Sequence, residues 1–332
     1  MATILKAILG KVDRVKKATN SYIDDILVDE TVMPATELRG HLNSFGLIAK
    51  PQEAMEGGAA LGLKLWRDKA GALVFRRGNE IPELGASMSR RELFSVWGKL
   101  VGHYPIAGWF RTACSFIKRR AEGVKWNDRV GEKTTDMIQE VLVKVRAEDP
   151  VRGSWYVPKS MSGIVWCDAS RIAIGVVLEV GGVMVEDAAW LRKTDDCNHI
   201  NVAELDAVLK GVNLALKCGL HTIEIRTDSA TVLGWMTAVI TNERRVRTKG
   251  AAEMLVKRRL GILRELATEF NLKLSVIFVP SEKNRADVLT RVKRAWLQVP
   301  EDVKQAVAAV CRLSDSELRR LHTMHHMGVD RT

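Results

Sequence analysis

The chain has 332 residues, of which 46% are hydrophobic, so it is long enough for more than one domain and apolar enough for packed cores, which excludes a disordered tail. Lys and Arg number 51 against 40 Asp and Glu, and the formal charge of +11 indicates a polyanionic partner, with a generically basic protein as the alternative. No apolar run approaches the ~20 residues that cross a bilayer, so a membrane span is not expected. The five cysteines include no Cys-x-x-Cys pair, which favours free thiols in a reducing compartment.

The opening "MATILKAILGKVDRVKKATN" predicts a basic amphipathic helix. From about residue 22 to 75, short apolar runs alternate with turns, which predicts strands, with one helix over "MPATELRGHLNSFG". Residues 88–120 predict two helices separated by a break that contains Pro and Gly, and residues 126–148 predict another helix. The stretch "EDPVRGSWYVP" at 148–158 is typical of a linker. A new domain is therefore expected to start after it.

Residues 162–297 have a distinct order of elements. Three strands are predicted first, at 163–167, 172–180 and 182–191, followed by the helix "NVAELDAVLKGVNLALKCG" with Gly219 as its C-terminal cap. A strand "HTIEIRTD", a short helix "SATVLGWM", a long helix, a strand "KLSVIFVP" and a final helix from about 284 follow. This order predicts a mixed sheet flanked by helices.

Four acids lie near the ends of these predicted elements. Asp168 follows the first strand, Asp228 ends the strand "TIEIRTD", and Asp287 falls in the first turn of the predicted final helix. Glu204 shares its helix face with Ala207, Val208, Gly211 and Val212, so it is expected to face the sheet, where a charge is costly unless it is paired or metal-bound. Taken singly, each acid also has a structural explanation, as a turn residue, a capping acid, an N-cap or a first-turn acid.

Taken together, four acids at the edges of one sheet can converge into an all-oxygen site for hard divalent cations, such as Mg²⁺. Two such ions can activate a water and stabilise the leaving oxygen in phosphodiester hydrolysis. The repulsion between unliganded carboxylates makes such a cluster an improbable structural choice.

The motifs "WCDAS", "NVAELDAV", "RTDSATVLGWM" and "PSEKNRADVLTR", in that order, resemble the ribonuclease H domain of reverse-transcribing elements, and most closely of LTR retrotransposons of the Bel/Pao kind. The resemblance implies an α/β fold with a ribonuclease H-like mixed five-stranded sheet flanked by helices. It implies that Asp168, Glu204, Asp228 and Asp287 are catalytic residues that bind two Mg²⁺ or Mn²⁺ ions. The implied reaction is endonucleolytic cleavage of the RNA strand of an RNA:DNA hybrid. The sequence departs from many such enzymes because "VPSEKNRAD" contains no helper His.

Positive charge is concentrated just after the third acid. The run "ERRVRTKGAAEMLVKRR" holds seven basic residues against two acidic ones, which favours salt-sensitive binding of a nucleic-acid backbone, with a solvated helix face as the alternative. Its candidate nucleic-acid-binding residues are Arg244, Arg245, Arg247, Lys249, Lys257 and Arg258. Trp235 is a candidate for stacking on a sugar or base, although a buried aromatic is the commoner role of Trp on a short amphipathic helix.

The stretch "SYIDDILV" predicts a hairpin whose tip carries Asp24 and Asp25, and "YIDD" resembles the Tyr-x-Asp-Asp motif of reverse transcriptases. The resemblance implies that both acids are metal ligands of a partial polymerase palm, which is followed by a helical thumb. Only residues 1–21 precede the motif, without the earlier palm strand that carries a further metal-binding Asp. RNA-directed DNA polymerase activity is therefore not expected from this chain alone.

The tail "LHTMHHMGVDRT" places His322 and His326 in His-x-x-x-His spacing, which is similar to the start of an integrase zinc-binding domain. The two cysteines that would complete the site do not follow, so a stable zinc site is not expected.

The resemblance thus divides the chain into five segments and indicates part of a retrotransposon Pol polyprotein. The expected segments are a partial palm at 1–75, thumb-like helices at 76–125, a connection at 126–160, ribonuclease H at 161–298, and a helical linker with the start of integrase at 299–332. The expected partners are RNA:DNA hybrid, other nucleic acid and the rest of the Pol polyprotein, in the cytoplasm within a virus-like particle or in the nucleus. Two alternatives are a degenerate copy that binds nucleic acid without cleaving it, and a DNA-joining or resolving nuclease of the same broad fold.

Overall fold

The computed structural model describes residues 2–78, 80–83, 88–102, 104–194, 196, 198–241 and 253–297. The chain forms two compact units, Met1–Arg291 and Val292–Thr332. In the second unit, the described residues contain one 3₁₀ turn, Arg294–Leu297. The five-segment division of the chain stays a prediction.

The first unit begins with two short helices and a hairpin. Helices α1 (Ala2–Leu9) and α2 (Asp13–Ala18) lead into strands β1 (Thr19–Tyr22) and β2 (Asp25–Val28), which pair antiparallel, and helix α3 (Ala35–Ser44) follows. The hairpin and the α3 helix were both predicted, and both are confirmed. Apolar side chains from these elements form one small core.

A four-stranded sheet and three helices come next. Its strands β3 (Ala59–Ala60), β4 (Leu63–Arg67), β5 (Leu73–Arg77) and β6 (Arg152–Ser154) lie in chain order, and all their pairs are antiparallel. Between β5 and β6 the chain forms helices α4 (Arg90–Val101), α5 (Trp109–Arg120) and α6 (Glu132–Ala147). These three helices confirm the prediction.

The predicted linker at 148–158 is not an unstructured connection. Arg152 and Gly153 pair with Arg76 and Phe75 of β5, and a buried Arg77 binds Asp149 through two hydrogen bonds of 2.7 and 3.0 Å. This segment looked like a linker because a three-residue strand carries little periodicity, and its partner strand β5 lies 76 to 80 residues earlier in the sequence.

The larger sheet contains β7 (Ser162–Ala169), β8 (Ala173–Val180), β9 (Val183–Leu191), β10 (Thr222–Thr227) and β11 (Lys273–Phe278). Its strand order is β11-β10-β7-β8-β9, with β7, β8 and β9 antiparallel and β10 parallel to both of its neighbours. The predicted mixed five-stranded, ribonuclease H-like α/β fold is confirmed.

One face of this sheet is covered by helices α7 (Ile200–Lys217), α8 (Ala230–Ile240) and α9 (Glu253–Glu269), whose apolar side chains form the main core with the strands. Gly219 follows α7 with φ of +70°, as predicted for a C-terminal cap. At Gly211 an added Cβ would lie 2.2 Å from Val165 Cγ1, so the α7 backbone rests directly on β7.

The predicted final helix from about 284 is wrong for the described residues. The chain forms only the 3₁₀ turns Ser281–Lys283, Asp287–Leu289 and Arg294–Leu297 there. The Asn284 side chain accepts a hydrogen bond from the Ala286 N–H. Such local side-chain bonds compete with the backbone bonds of a longer helix.

In the part of the chain that the structure describes, every helix is too short or too polar to span a lipid bilayer.

Candidate active site

Asp168 lies near the end of β7, opposite Gly175 of β8. Its side chain accepts a hydrogen bond from the Thr290 hydroxyl, and the residue is only 5% exposed. Asp168 is therefore a buried strand residue and not a turn residue, because the turn follows it: Ser170 bonds the backbone N–H groups of Ile172 and Ala173.

Glu204 lies in the second turn of α7 and is 8% exposed. The helix periodicity places it on the face that packs against the sheet, as predicted, because Ala207, Val208 and Gly211 on that face are all buried. Its Oε2 atom is buried and has no hydrogen-bond partner among the described atoms. An unpaired carboxylate oxygen in the core is costly, so this atom calls for a ligand.

Asp228 follows the last residue of β10 and is partly buried. One of its carboxylate oxygens accepts from the Ser281 hydroxyl, and the other accepts from Asn284 Nδ2 at 3.3 Å. The same Asn284 amide donates to the Cys167 carbonyl at 2.9 Å. Asn284 therefore joins β7 to the carboxylate that follows β10.

The structure brings three of the four predicted acids together. Asp168, Glu204 and Asp228 each offer a carboxylate oxygen, and these oxygens all lie within 4.8 Å of one another. We call these three residues the acid cluster. The parallel pairing of β7 with β10 brings the carboxyl ends of both strands to one edge of the sheet, and α7 brings Glu204 to the same place.

Burial and mutual repulsion make the acid cluster hard to ionise. Burial raises the pKa of Asp168 to about 6; the charges of Asp228 and Asp287 add to this, while the Thr290 hydroxyl and Arg291 oppose it. Burial raises the pKa of Glu204 to about 8, with the charges of Asp168 and Asp228 adding, against a hydrogen bond from the Ala169 backbone. A divalent cation would compensate these charges and satisfy the unpaired Glu204 oxygen, so the residues fit a metal.

Asp287 is not among the three clustered acids. It lies in the 3₁₀ turn Asp287–Leu289, where one carboxylate oxygen accepts from Arg291 Nε at 2.6 Å and also from the second guanidinium nitrogen. Asp287 still contributes a negative charge near Asp168. Three of the four acids that were predicted to converge therefore lie together, whereas Asp287 pairs with Arg291.

Three further residues, Ser281, Asn284 and Thr290, hold the cluster in place, and sequence reasoning missed them. They lie in "PSEKNRADVLTR", the motif that contains Asp287 and no helper His. The presence of three hydrogen-bond donors near Asp287 in the sequence could have indicated that they bind carboxylates. Only the structure shows that they bond the other two Asp carboxylates.

The remaining candidates are not members of the acid cluster or lie outside the described residues. Asp24 and Asp25 are exposed at the hairpin tip and join no group of three metal-binding side chains among the described residues. Lys257 pairs with Glu253 at 2.5 Å, Arg258 is exposed on α9, and Trp235 packs partly buried against the main core. Outside the described residues lie Arg244, Arg245, Arg247, Lys249, His322 and His326.

Residues 162–289 match the family model described as "Reverse transcriptase-like". Residues 89–147, which contain helices α4 to α6, match a second family, described as a domain of unknown function (DUF7047). Residues 162–289, which make up less than half of the chain, therefore resemble a reverse transcriptase-like domain. No curated protein sequence matches the chain.

Solved structures of a foamy viral protease-reverse transcriptase resemble most of the chain. Its dRH form in complex with double-stranded DNA aligns with a TM-score of 0.58 and 13% identity, over 83% of this chain and 48% of the viral chain. A second complex with double-stranded DNA aligns at 0.57 and 15%, over 84% and 58%. A complex with an RNA/DNA hybrid aligns at 0.54 and 14%, over 85% and 38%. The chain thus spans between 38% and 58% of the viral chains, and identities this low show a shared fold alone.

Proposed function

We propose that the domain around the acid cluster is a ribonuclease H that hydrolyses the RNA strand of RNA:DNA hybrids with divalent cations. The observation that carries this proposal is the unpaired, buried Oε2 of Glu204 beside Asp168 and Asp228 in a ribonuclease H-like sheet. The hybrid as substrate is supported by the foamy viral relative of similar fold, which has been solved with an RNA/DNA hybrid.

The acid cluster would hold Mg²⁺ or Mn²⁺ through carboxylate oxygens from Asp168, Glu204 and Asp228. When bound, two such ions supply an activated water and stabilise the leaving oxygen of the phosphodiester. Ser281 and Asn284 orient the Asp228 carboxylate, and Thr290 orients that of Asp168. Both hydrogen bonds from Arg291 are accepted by Oδ1 of Asp287, so its other carboxylate oxygen is the one that would serve as a fourth ligand.

The substrate also needs a surface for its phosphates. The predicted basic patch comprises Arg244, Arg245, Arg247, Lys249, Lys257 and Arg258, of which Lys257 and Arg258 are exposed on α9. We assign this basic run to backbone contacts, which would make binding sensitive to salt and tolerant of sequence.

The wider proposal is that the chain belongs to the Pol polyprotein of an LTR retrotransposon, of the Bel/Pao kind, and acts in its virus-like particle in the cytoplasm or in the nucleus. It is supported by the reverse transcriptase-like family match, the foamy viral fold relatives and the "YIDD" hairpin. Asp24 and Asp25 would then be the remnant of a polymerase site in a partial palm, and α4 to α6 would contain the thumb and connection.

The test is strand-specific cleavage of a hybrid in which the RNA or the DNA is labelled, with Mg²⁺ or Mn²⁺, beside RNA:RNA and DNA:DNA duplexes. The matched variant is Asp228→Asn, which keeps the shape of a partly exposed side chain and removes its charge. We expect cleavage of RNA in the hybrid alone, and loss of that cleavage in the variant with an unchanged circular dichroism spectrum. Salt-sensitive binding without cleavage would favour the degenerate binding protein, and cleavage of DNA duplex would favour the joining or resolving nuclease.

A further inference from the structure

The second face of the five-stranded sheet is covered by a segment that carries the fourth acid. Trp166 and Val177 of the sheet pack there against Ala286 and Leu289, at the place where a final helix was expected. Gly175, the register partner of Asp168, makes this approach possible. An added Cβ at Gly175 would lie 2.8 to 2.9 Å from Leu289 Cβ, the Ala286 carbonyl oxygen and Thr290 Cγ2.

This segment is joined to α5 by a buried hydrogen bond. The fully buried Thr112 of α5 donates its hydroxyl to the carbonyl of Leu289, across 177 residues of sequence. The next residue, Thr290, donates its own hydroxyl to the Asp168 carboxylate, and its carbonyl accepts from Ser170 at 2.7 Å. The Thr112 hydroxyl is therefore connected to the Asp168 carboxylate through two consecutive residues, Leu289 and Thr290.

Helix α5 is itself fixed to the sheet from another direction. The buried Asp187 of β9 accepts from the backbone N–H groups of Ala107 at 3.0 Å and Gly108 at 2.6 Å, and from Arg111 Nε. A carboxylate at a helix N-terminus is favoured by the unpaired N–H groups and by the helix dipole. The backbone N–H of Asp187 also donates to the Pro105 carbonyl at 2.9 Å. Both the side chain and the backbone of Asp187 therefore bond β9 to the segment that starts α5.

We propose that α5 is a brace for the acid cluster and that Thr112 is its positioning residue. It acts through Leu289 and Thr290, which set the Asp168 carboxylate and the backbone that bears Asp287. This assigns a role to a helix in the family of unknown function, namely completing the reverse transcriptase-like domain from outside its matched boundaries. The catalytic part of the inference rests on the proposed function, whereas the brace itself does not.

The test uses the full chain with Thr112→Val, which keeps the side-chain shape and removes the hydroxyl. Amide hydrogen exchange of residues 284–291, measured without substrate, should accelerate about tenfold or more relative to wild type, because local opening no longer breaks the Thr112 bond. Exchange in α9 should not change. The Mg²⁺ concentration for half-maximal hybrid cleavage should rise several-fold, and Thr112→Ser should restore both quantities.

The matched control is Thr134→Val, at the other buried Thr of the same helical region, whose hydroxyl makes no hydrogen bond to residues 162–291 in the described part of the chain. It should leave exchange at 284–291 and the Mg²⁺ dependence as in wild type. If Thr112→Val does not fold, Thr112→Ala, which leaves room for a water at the Leu289 carbonyl, is measured in the same way.

Unchanged exchange at 284–291 in a folded Thr112 variant would overturn the brace. If wild type cleaves no substrate, the proposed function fails, but the exchange measurement still decides whether α5 holds this segment. If wild type cleaves and the variant shows faster exchange with unaltered Mg²⁺ dependence, α5 is a structural contact and the positioning role is wrong.

Discussion

Glu204 has a higher pKa than Asp168, and its Oε2 has no hydrogen-bond partner among the described atoms. Its folded-state pKa of about 8 lies above the ordinary value of 4.5, so the folded protein retains a proton that the unfolded chain releases. Between these two values the folded state binds more protons, and the free energy of unfolding therefore falls as pH rises. Below about pH 4.5 both states are protonated and the penalty disappears.

We expect Glu204→Gln to stabilise the metal-free protein at pH 8 and to abolish hybrid cleavage. Gln resembles the protonated acid, so the two proteins should have similar unfolding free energies near pH 4.5 and diverge as pH rises. The measurement is urea unfolding from pH 4.5 to 9 in chelator. The exposed Glu265→Gln is the control and should show no such divergence.

Metal should reverse the order of stability at pH 8. Because a ligand that binds only the folded state raises its stability, Mn²⁺ or Mg²⁺ should raise the unfolding free energy of wild type more than that of Glu204→Gln. Equal stability of wild type and variant at every pH, with and without metal, would mean that Glu204 is solvated or paired in solution.

At the scale of elements, the close contact of α7 with β7 positions Glu204. Gly211→Ala should destabilise the protein by about 1–3 kcal/mol, because a Cβ there would overlap Val165 and force the helix off the sheet. The control is Gly234→Ala in α8, where nothing lies within 4 Å and alanine's better helix propensity should give a neutral or slightly stabilising change. Urea unfolding measures both. Destabilisation by Gly234→Ala equal to that by Gly211→Ala would contradict the close-packing explanation.

The elements that sequence predicted well are those with strong local periodicity. The three strands of "GIVWCDASRIAIGVVLEVGGVMVEDAAWL" follow from their short apolar runs, and the buried face of α7 follows from helical spacing. Two predictions failed because distant partners decide them. Strand β6 exists only through β5, and the segment after Asn284 is shaped by contacts with Gly175 and Thr112 rather than by its own helical pattern.

The same limit applies to the candidate site. Residue type and position at element ends were enough to predict Asp168, Glu204 and Asp228 as neighbours. The pairing of Asp287 with Arg291, four residues later, was open to prediction but was not recognised. The hydroxyl of Thr290 on Asp168 could not be predicted, since it depends on how the last segment crosses the sheet.

At the scale of the whole molecule, residues 162–289 are joined to the region before them through buried charged groups. A fragment of residues 161–298 lacks Ala107, Gly108 and Arg111, so the Asp187 carboxylate loses its partners. We expect Asp187→Asn to cost about 3–5 kcal/mol in the full chain and much less in the fragment, since breaking a buried pair leaves an uncompensated charge. Equal losses in the two proteins, measured by urea unfolding, would show that these contacts do not form in solution.

The pairing of β5 with β6 closes residues 78–151 into a loop whose ends are hydrogen-bonded to each other and reinforced by the Arg77–Asp149 ion pair. A protease that cuts one peptide bond between Gly78 and Met88 would therefore produce two polypeptides that remain associated. The nicked protein would elute as one species under native conditions and separate only in denaturant. Covalent continuity at that point is dispensable for keeping α5 against the sheet.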